Sequence, residues 1–447
     1  MQTPKKPEGL AAFGIIWIGQ IVSILASGMS QFALTIWMYQ QTKSPMAMAM
    51  MAVFYITPFL LLSPFAGVMV DRYNRKLMMM VSDLIAVLAT AAIFILAATH
   101  HLEFWHLYIT AIFYGIGNTF QWPAYSAVIS TLVPKEQLGR VNGLMTLMEA
   151  GPGVVAPILA GALLPVIGIA NILAFDVLTF FLAIGTLAMV HIPQPRKTEE
   201  GQKKTGNALS EAAYGFTYIF ARPGLLGLQL IYFTGNLFAG IAFAITAPMI
   251  LARTNSSVIF GSVQSAGAIG MVLGGVIMGV WGGFKKRVNG VFLGWTIASL
   301  FGMLMFGLGQ GLIWWVIATG LANLVLPILD GSNQAIWQSK VAPDLQGRVF
   351  SARRLIAWFA QPIAPVIGGA LAEYVFEPAL QSHSTLANGF GWLVGAGPGA
   401  GMSLLIIFCG IAGILTGLSG YFIPAIRNVE QVLPDHDQLA PAEIAQP

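Results

Sequence analysis

The chain has 447 residues, of which 56% are hydrophobic and only 9% charged, where a soluble domain carries ~25% charged residues. Water is therefore excluded as its main solvent, and its 50 glycines suit helices packed closely on one another. The net charge of +4 comes from basic residues scattered through short loops, which argues against a nucleic-acid partner, and the lone Cys409 excludes a disulfide framework or a thiolate metal site.

An apolar run of ~20 residues crosses a ~30 Å hydrocarbon layer as a helix, because that conformation satisfies every backbone polar group internally. Twelve such runs occur, at 11–39, 45–70, 77–99, 105–132, 141–166, 170–192, 223–252, 257–282, 289–309, 312–338, 350–376 and 401–425. The first is too long for a signal-peptide core and is expected to be kept. Basic residues mark the cytoplasmic side. With the N-terminus inside, 20 of the 22 Lys and Arg fall in the cytoplasm, and only Lys43 and Arg253 lie outside. The pattern predicts a bacterial inner-membrane protein with both termini cytoplasmic.

Residues 193–222 form the one long polar connection, and within it Leu209, Ala213, Phe216 and Phe220 share a helical face that suits a short helix on the membrane surface. The expected organisation is an N-terminal six-helix bundle over 1–192, this linker, a C-terminal six-helix bundle over 223–427 and a disordered cytoplasmic tail over 428–447. The tail carries Glu430, Asp435, Asp437 and Glu443 with too little apolar content to fold.

The two halves repeat. A shift of 208 residues places Gly139-Arg140-Val141 on Gly347-Arg348-Val349, Ala156-Pro157 on Ala364-Pro365, and Gly161-Ala162-Leu163 on Gly369-Ala370-Leu371. Parallel repeats about an axis along the membrane normal are one transporter plan, with substrate held at the midplane between two bodies that rock. The fold class expected is thus an all-α membrane protein of two pseudo-symmetric six-helix bundles.

The loop after the second span reads Gly67-Val-Met-Val-Asp71-Arg72-Tyr-Asn-Arg75-Lys76. It resembles the Gly-x-x-x-Asp-Arg-x-x-Arg-Lys signature of the major facilitator superfamily. Val133-Pro134 to Arg140, Phe175 to Leu178, Trp281 to Lys286, Gln346 to Phe350 and Gly397-Pro398-Gly399 make the chain similar to the drug:proton antiporter branch that includes macrolide efflux proteins and the enterobactin exporter. The resemblance implies the major facilitator fold and a cytoplasmic latch of Gly67, Asp71, Arg72, Arg75 and Lys76. Arg140 and Arg348 join the latch, and so does Asp83, placed near enough to the cytoplasm to pair with the Arg72/Arg75 loop. Topology alone accounts equally well for the basic residues, but not for Asp71, since acids contribute little to orientation. In the second half Gly283 stands where an acid would align. The sequence Glu149-Ala-Gly151-Pro152-Gly153 only partly matches the antiporter motif.

Acids inside the membrane are costly, so each is a candidate functional group. Glu149 lies eight residues into the fifth span, ~12 Å deep at ~1.5 Å per residue. Asp330 lies at similar depth in the tenth span, with no Lys or Arg expected at either level, and Asp176 lies six residues from the outer end of the sixth. All three are candidates for proton coupling, the alternative being a neutral acid that glues two helices together. Gln20, Gln31, Asn118, Gln121, Trp122 and Asn236 lie at midspan on helices that the resemblance places around a central cavity. Aromatic and Met-rich walls with few polar anchors suit large amphipathic ligands.

His100, His101, His106 and Glu103 cluster in one short loop, but their spacing fits no standard metal site, so no metal is expected. The glycine run 395–401 lacks a nucleotide-binding pattern and suits a flexible helix entry. No cofactor is expected; a proton gradient drives transport. The partners are a small-molecule substrate and the lipid bilayer, and the chain is expected to be a monomer. Its reading is proton-coupled efflux of amphipathic molecules by alternating access, the alternative being a proton-linked importer or facilitator. No nucleophile elbow, zinc-ligand pair or carboxylate cluster points to an enzyme.

In a Cys409→Ser background, a Lys43→Cys variant should be labelled by an impermeant maleimide in intact cells, and a Lys203→Cys variant only after permeabilisation. The reverse pattern would overturn the assigned orientation.

Overall fold

The computed structural model describes residues 9–72, 74–132, 138–190, 192, 215–341, 346–380, 385–395 and 397–433. Its helices are α1 (Gly9–Thr42), α2 (Pro45–Arg72), α3 (Arg75–Ala98), α4 (Phe104–Leu132), α5 (Leu138–Met189), α6 (Pro223–Thr254), α7 (Ser257–Trp281) and α8 (Arg287–Leu308). There follow α9 (Leu312–Lys340), α10 (Gln346–Trp358), α11 (Ala360–Leu371), α12 (Thr385–Val394), α13 (Ala400–Phe422), α14 (Pro424–Arg427) and α15 (Val429–Val432).

Ten stretches among the described residues are long and apolar enough to cross a membrane. One of them, Gly151–Met189, has 39 residues and would reach ~58 Å if straight, about twice the hydrocarbon thickness. It does not run straight: Gly168 adopts φ 74° and ψ 169°, open to glycine and closed to other residues. Gly28 of α1 faces Ala156 of the first limb, while its neighbour Ser27 bonds Asp176 of the second. Both limbs therefore stand beside the same level of α1, and the chain reverses at Gly168. Counting them separately, and adding the 29-residue α4, recovers the twelve passes read from the sequence. α10 and α11 together make one pass, Ala352–Ala379.

The described residues group into two compact units, Met1–Lys197 with Ile250–Ser265, and Thr198–Met249 with Ala266–Pro447. In the first, α1 packs on both limbs of α5, α2 packs on α4, and α3 packs on α4 and α5. In the second, α8 lies between α9 and α13. The first unit departs from the expected 1–192 bundle because it includes the turn between α6 and α7. Ser257, Gly261 and Ser265 recur every four residues, so α7 presents one face of small residues there. Ser257 Oγ donates to Gly161 O at 3.0 Å, Ser265 Oγ donates to Val154 O at 2.6 Å, and Phe260 stacks on Phe32 with centroids 4.9 Å apart.

Two further boundaries shift. The end of the linker folds into the second unit: residues 215–220 are helical, with Tyr218 and Ile219 buried beside Trp295 and Trp337. On the face expected to lie along the membrane, Phe220 is exposed, while Leu209 and Ala213 lie outside the described residues. The tail is ordered as far as Leu433, correcting the expectation of disorder from 428: Val429 is buried, Glu430 accepts from Val288 N at 3.0 Å, and Lys340 Nζ donates to Glu430 O at 2.7 Å. Val429 and Leu433 of that stretch dock with Ile426 just before it, while Val432 is exposed. Residues 434–447 lie outside the described residues.

α12 is a helix the sequence reading left out. The glycine run after it makes a helix start: Gly395, Gly397 and Gly399 have φ of 79°, 102° and 86°, and the Glu377 carboxylate accepts from Gly399 N and Met402 N at the start of α13. An acid at a helix N-terminus satisfies donors the helix cannot.

Glycine sets the closest helix approach. A Cβ on Gly274 of α7 would lie 2.0 Å from Leu324 O of α9, whereas one on Gly275 would meet nothing within 4 Å. Gly274→Leu should therefore lower stability by ~1–3 kcal/mol, the usual cost of overpacking. Gly275→Leu should not; thermal unfolding of the two purified variants measures the difference.

Candidate functional site

Three buried polar groupings sit inside the apolar helices. In the first, Asp83 of α3 is 5% exposed and both its oxygens are engaged: Gln20 Nε2 of α1 donates to Oδ2 at 3.1 Å, and Gln121 Nε2 of α4 donates to Oδ1 at 2.8 Å. Gln121 Nε2 also donates to Gln20 Oε1 at 3.2 Å, closing the triangle, while Gln121 Oε1 is buried without a partner. Both Asp83 oxygens are thus taken by α1 and α4. Arg75, the described arginine of the loop expected to pair with it, is not among its partners, and the Arg72 side chain lies outside the described residues. It lies eight residues into α3, ~12 Å from its start, on a face turned to α1 and α4. Nearby, Asn118 Nδ2 donates to Tyr55 Oη at 2.6 Å.

The second grouping surrounds Asp176, which is fully buried on the second limb of α5. Ser27 Oγ donates to Asp176 Oδ1 at 2.9 Å, and the buried Ser30 hydroxyl stands beside the same carboxyl. Thr90 and Tyr114 share a hydrogen bond between their hydroxyls. A cavity of about 30 Å³ is lined by Ser30, Gln31, Tyr55, Thr90, Thr110 and Tyr114 among others. That is room for two or three waters at ~10–15 Å³ each, and far below the ~300 Å³ of a small-molecule pocket. No described Lys or Arg acts on Asp83 or Asp176.

The third lies in the second unit. Tyr232 Oη of α6 donates to Asp330 Oδ1 of α9 at 3.3 Å and to Leu329 O at 3.1 Å. Contrary to the expectation of no cation at this depth, Arg353 of α10 interacts electrostatically with Asp330. Its Nη1 donates to Gln334 Oε1 at 2.8 Å and its guanidinium stands 5.3 Å from the Trp337 ring centroid. A long flexible stem lets a residue near a helix start carry its charge inward. Asn236 Nδ2 donates to Ala357 O at 3.2 Å, so it ties α6 to α10.

Gly67, Asp71 and Arg72 end α2, and Arg140 and Arg348 lie in the first turns of α5 and α10; their side chains, with those of Trp122 and Glu149, lie outside the described residues. Arg75 is half-buried at the start of α3. Lys76 Nζ donates to Ala188 O at 3.0 Å and Val190 O at 2.7 Å, where a cation complements the end of α5. In the histidine loop, Glu103 accepts from Trp105 Nε1 and His106 Nδ1 accepts from Glu103 N. Among the described residues no three His, Cys, Asp or Glu converge as metal ligands would.

With twelve helical passes, a repeated half and the signature loop in place, comparison with known proteins is decisive. The Major Facilitator Superfamily profile matches residues 16–365. The chain belongs to the major facilitator superfamily. Macrolide efflux protein A of Streptococcus pyogenes is 30% identical over 371 residues, 81% of this chain and 90% of that protein. Enterobactin exporter EntS of Escherichia coli O81 (strain ED1a) is 22% identical over 386 residues, 86% of this chain and 89% of its own. A bacterial homolog of the human lysosomal transporter Spinster, solved inward-facing and unoccupied, matches the fold with a TM-score of 0.67 at 15% identity. That match covers 94% of this chain and 98% of the other. This superfamily member is thus a multi-pass membrane transporter of small molecules, not an enzyme.

Tyr232, Arg353, Ser27, Ser30, Thr90 and Tyr114 were not singled out from sequence. Arg353 was read as a loop charge, and hydroxyl residues in apolar helices carry no distinguishing signal of their own. Arg353→Gln should destabilise the purified superfamily protein by ~1–3 kcal/mol, the range for losing a charged hydrogen bond, with partial recovery in Arg353→Lys. Equal thermal stability of Arg353→Gln and wild type would contradict the network described.

Proposed function

We propose that this chain is a proton-coupled exporter of amphipathic small molecules, macrolide-like drugs or siderophores, working by alternating access. The observation that carries the reading is the 30% identity to macrolide efflux protein A across 90% of that protein, with the siderophore exporter as a more distant relative. Support comes from the carboxylates placed among apolar helices, which need a functional reason to offset their cost. Glu149, Asp176 and Asp330 are assigned to proton coupling. Export then follows from linkage: a proton taken up from the outer side and a solute taken up from the cytoplasm alternately bias one two-state protein.

Gln20, Gln31, Asn118, Gln121, Trp122 and Asn236 are assigned to the substrate pathway. Asp71 with Arg72, Arg75, Arg140 and Arg348 is assigned to closing the cytoplasmic side through charge-assisted hydrogen bonds. The protein works as a monomer in the inner membrane, termini in the cytoplasm, without a cofactor.

Inverted membrane vesicles given a proton gradient should accumulate radiolabelled erythromycin, and an uncoupler should abolish the accumulation. Glu149→Gln should abolish it at unchanged expression. Loss of solute from preloaded vesicles under the same gradient would replace export with uptake, and accumulation indifferent to the uncoupler would remove the proton.

A further inference from the structure

Asp83 was assigned above to neither proton coupling nor the substrate pathway, yet among the described acids it alone has two side-chain amides donating to its two oxygens. It is nearly fully buried, and two neutral carboxamides from two different helices each direct an N–H at it. Among the described residues no other titratable group acts on it. Tyr125 of α4, one turn beyond Gln121 on the same face, is buried with its hydroxyl unpartnered. α1 contributes Gln20, α5 carries Asp176 already bonded to Ser27, and the Glu149 side chain is outside the described residues.

We propose that Asp83 is a proton-binding site and that Gln20 and Gln121 are its readout, turning their amides when the proton arrives. The arrangement seen belongs to the ionised carboxylate, which only accepts. When a proton from water bonds Oδ1, that oxygen becomes a donor facing the donor Gln121 Nε2, and the two repel. Rotation of the Gln121 amide by half a turn brings Oε1 round to accept the new O–H and carries Nε2 to the place Oε1 left. In the structure that place holds an orphaned acceptor, and the buried Tyr125 hydroxyl, four residues further along α4, is likewise unpartnered. No electrons move: a hydronium ion gives up one O–H bond as the carboxyl gains one, the Gln121–Asp83 hydrogen bond reverses direction and the Gln121–Gln20 bond breaks.

The consequence reaches beyond the triangle. Gln121 Nε2 also holds Gln20 Oε1, so the turn releases Gln20 and uncouples α1 from α4. One proton thereby exchanges the donor and acceptor pattern of two residues assigned to the substrate pathway, a bistable element of the kind that switches use. This deepens the proton-coupled reading and rests on it for its role in transport, but not for the chemistry at Asp83.

The test is a pH titration of the purified full-length protein in nanodiscs by difference infrared spectroscopy, following the carboxylic C=O stretch and the glutamine amide bands. The wild type should show a protonated-carboxyl component that disappears as pH rises, with a glutamine band shifting in step. Asp83→Asn, which keeps the shape of the neutral acid, should lose that component and hold the glutamine bands at their low-pH position. Gln121→Leu should move the pH of the transition, and Gln121→Glu should not restore it. An unchanged spectrum in Asp83→Asn, or an Asp83 transition unmoved in Gln121→Leu, would overturn the proposal. Because no substrate is present, an Asp83 that titrates as described in a protein whose export ignores the proton gradient would sink the transport reading and leave this switch standing.

Discussion

Hydrocarbon offers no hydrogen bonds, and that constraint shapes every part of this molecule. Each backbone amide must be satisfied within its own helix, so the chain spans as helices and nothing else. Helix ends then need partners of their own: Asn74 caps α3 through Leu77 N, Glu377 caps α13, and Lys76 closes the end of α5. Since lipid tails are as apolar as leucine, burial of apolar surface cannot hold the helices together. Close contact and internal hydrogen bonds must. Gly274 against Leu324 and Ser265 against Val154 are examples of those two devices on one helix.

The same constraint governs the acids. In the second unit Asp330 meets it with a cation, Arg353, and a tyrosine hydroxyl, so the network carries both signs of charge. In the first, the described partners of Asp83 and Asp176 are all neutral, two glutamine amides and two serines. A carboxylate whose partners are all neutral has no counter-charge to fix its state, so gaining a proton costs it no ion pair. The surroundings of the acids therefore differ between the units: among the described residues one sets a cation beside its acid, the other surrounds its acids with neutral groups. The repeat in the sequence had already shown such asymmetry, with Gly283 in place of a second Asp71.

The fold was legible because its signal is coarse. Long apolar runs and basic loops locate spans to within a few residues, and Gly168 breaks α5 between the apolar runs 141–166 and 170–192. The site was less legible for a definite reason. A helix apolar on all sides carries no periodicity to say which face meets protein, so the sequence gives depth without direction. Depth alone sent Asp83 to the cytoplasmic loop, when its direction is toward Gln20 and Gln121. The same blindness hid Arg353, whose position near a helix start said loop while its stem reaches Gln334 and the surroundings of Asp330. Gln20 and Gln121 were found separately as midspan polar residues, but only the packing of α1, α3 and α4 shows that they share one acid. The small-residue stripe Ser257-Gly261-Ser265 was visible as spacing and still said nothing of its partner, α5.

The central claim is that protons held by acids among these helices are exchanged for solute. Purified protein in liposomes containing a pH-sensitive dye, with an outwardly directed erythromycin gradient and no imposed pH difference, measures that exchange directly. The account predicts proton movement opposite to the drug, in fixed ratio to the drug moved and absent from liposomes without protein. Drug leaving the liposomes with the internal pH unchanged would contradict it.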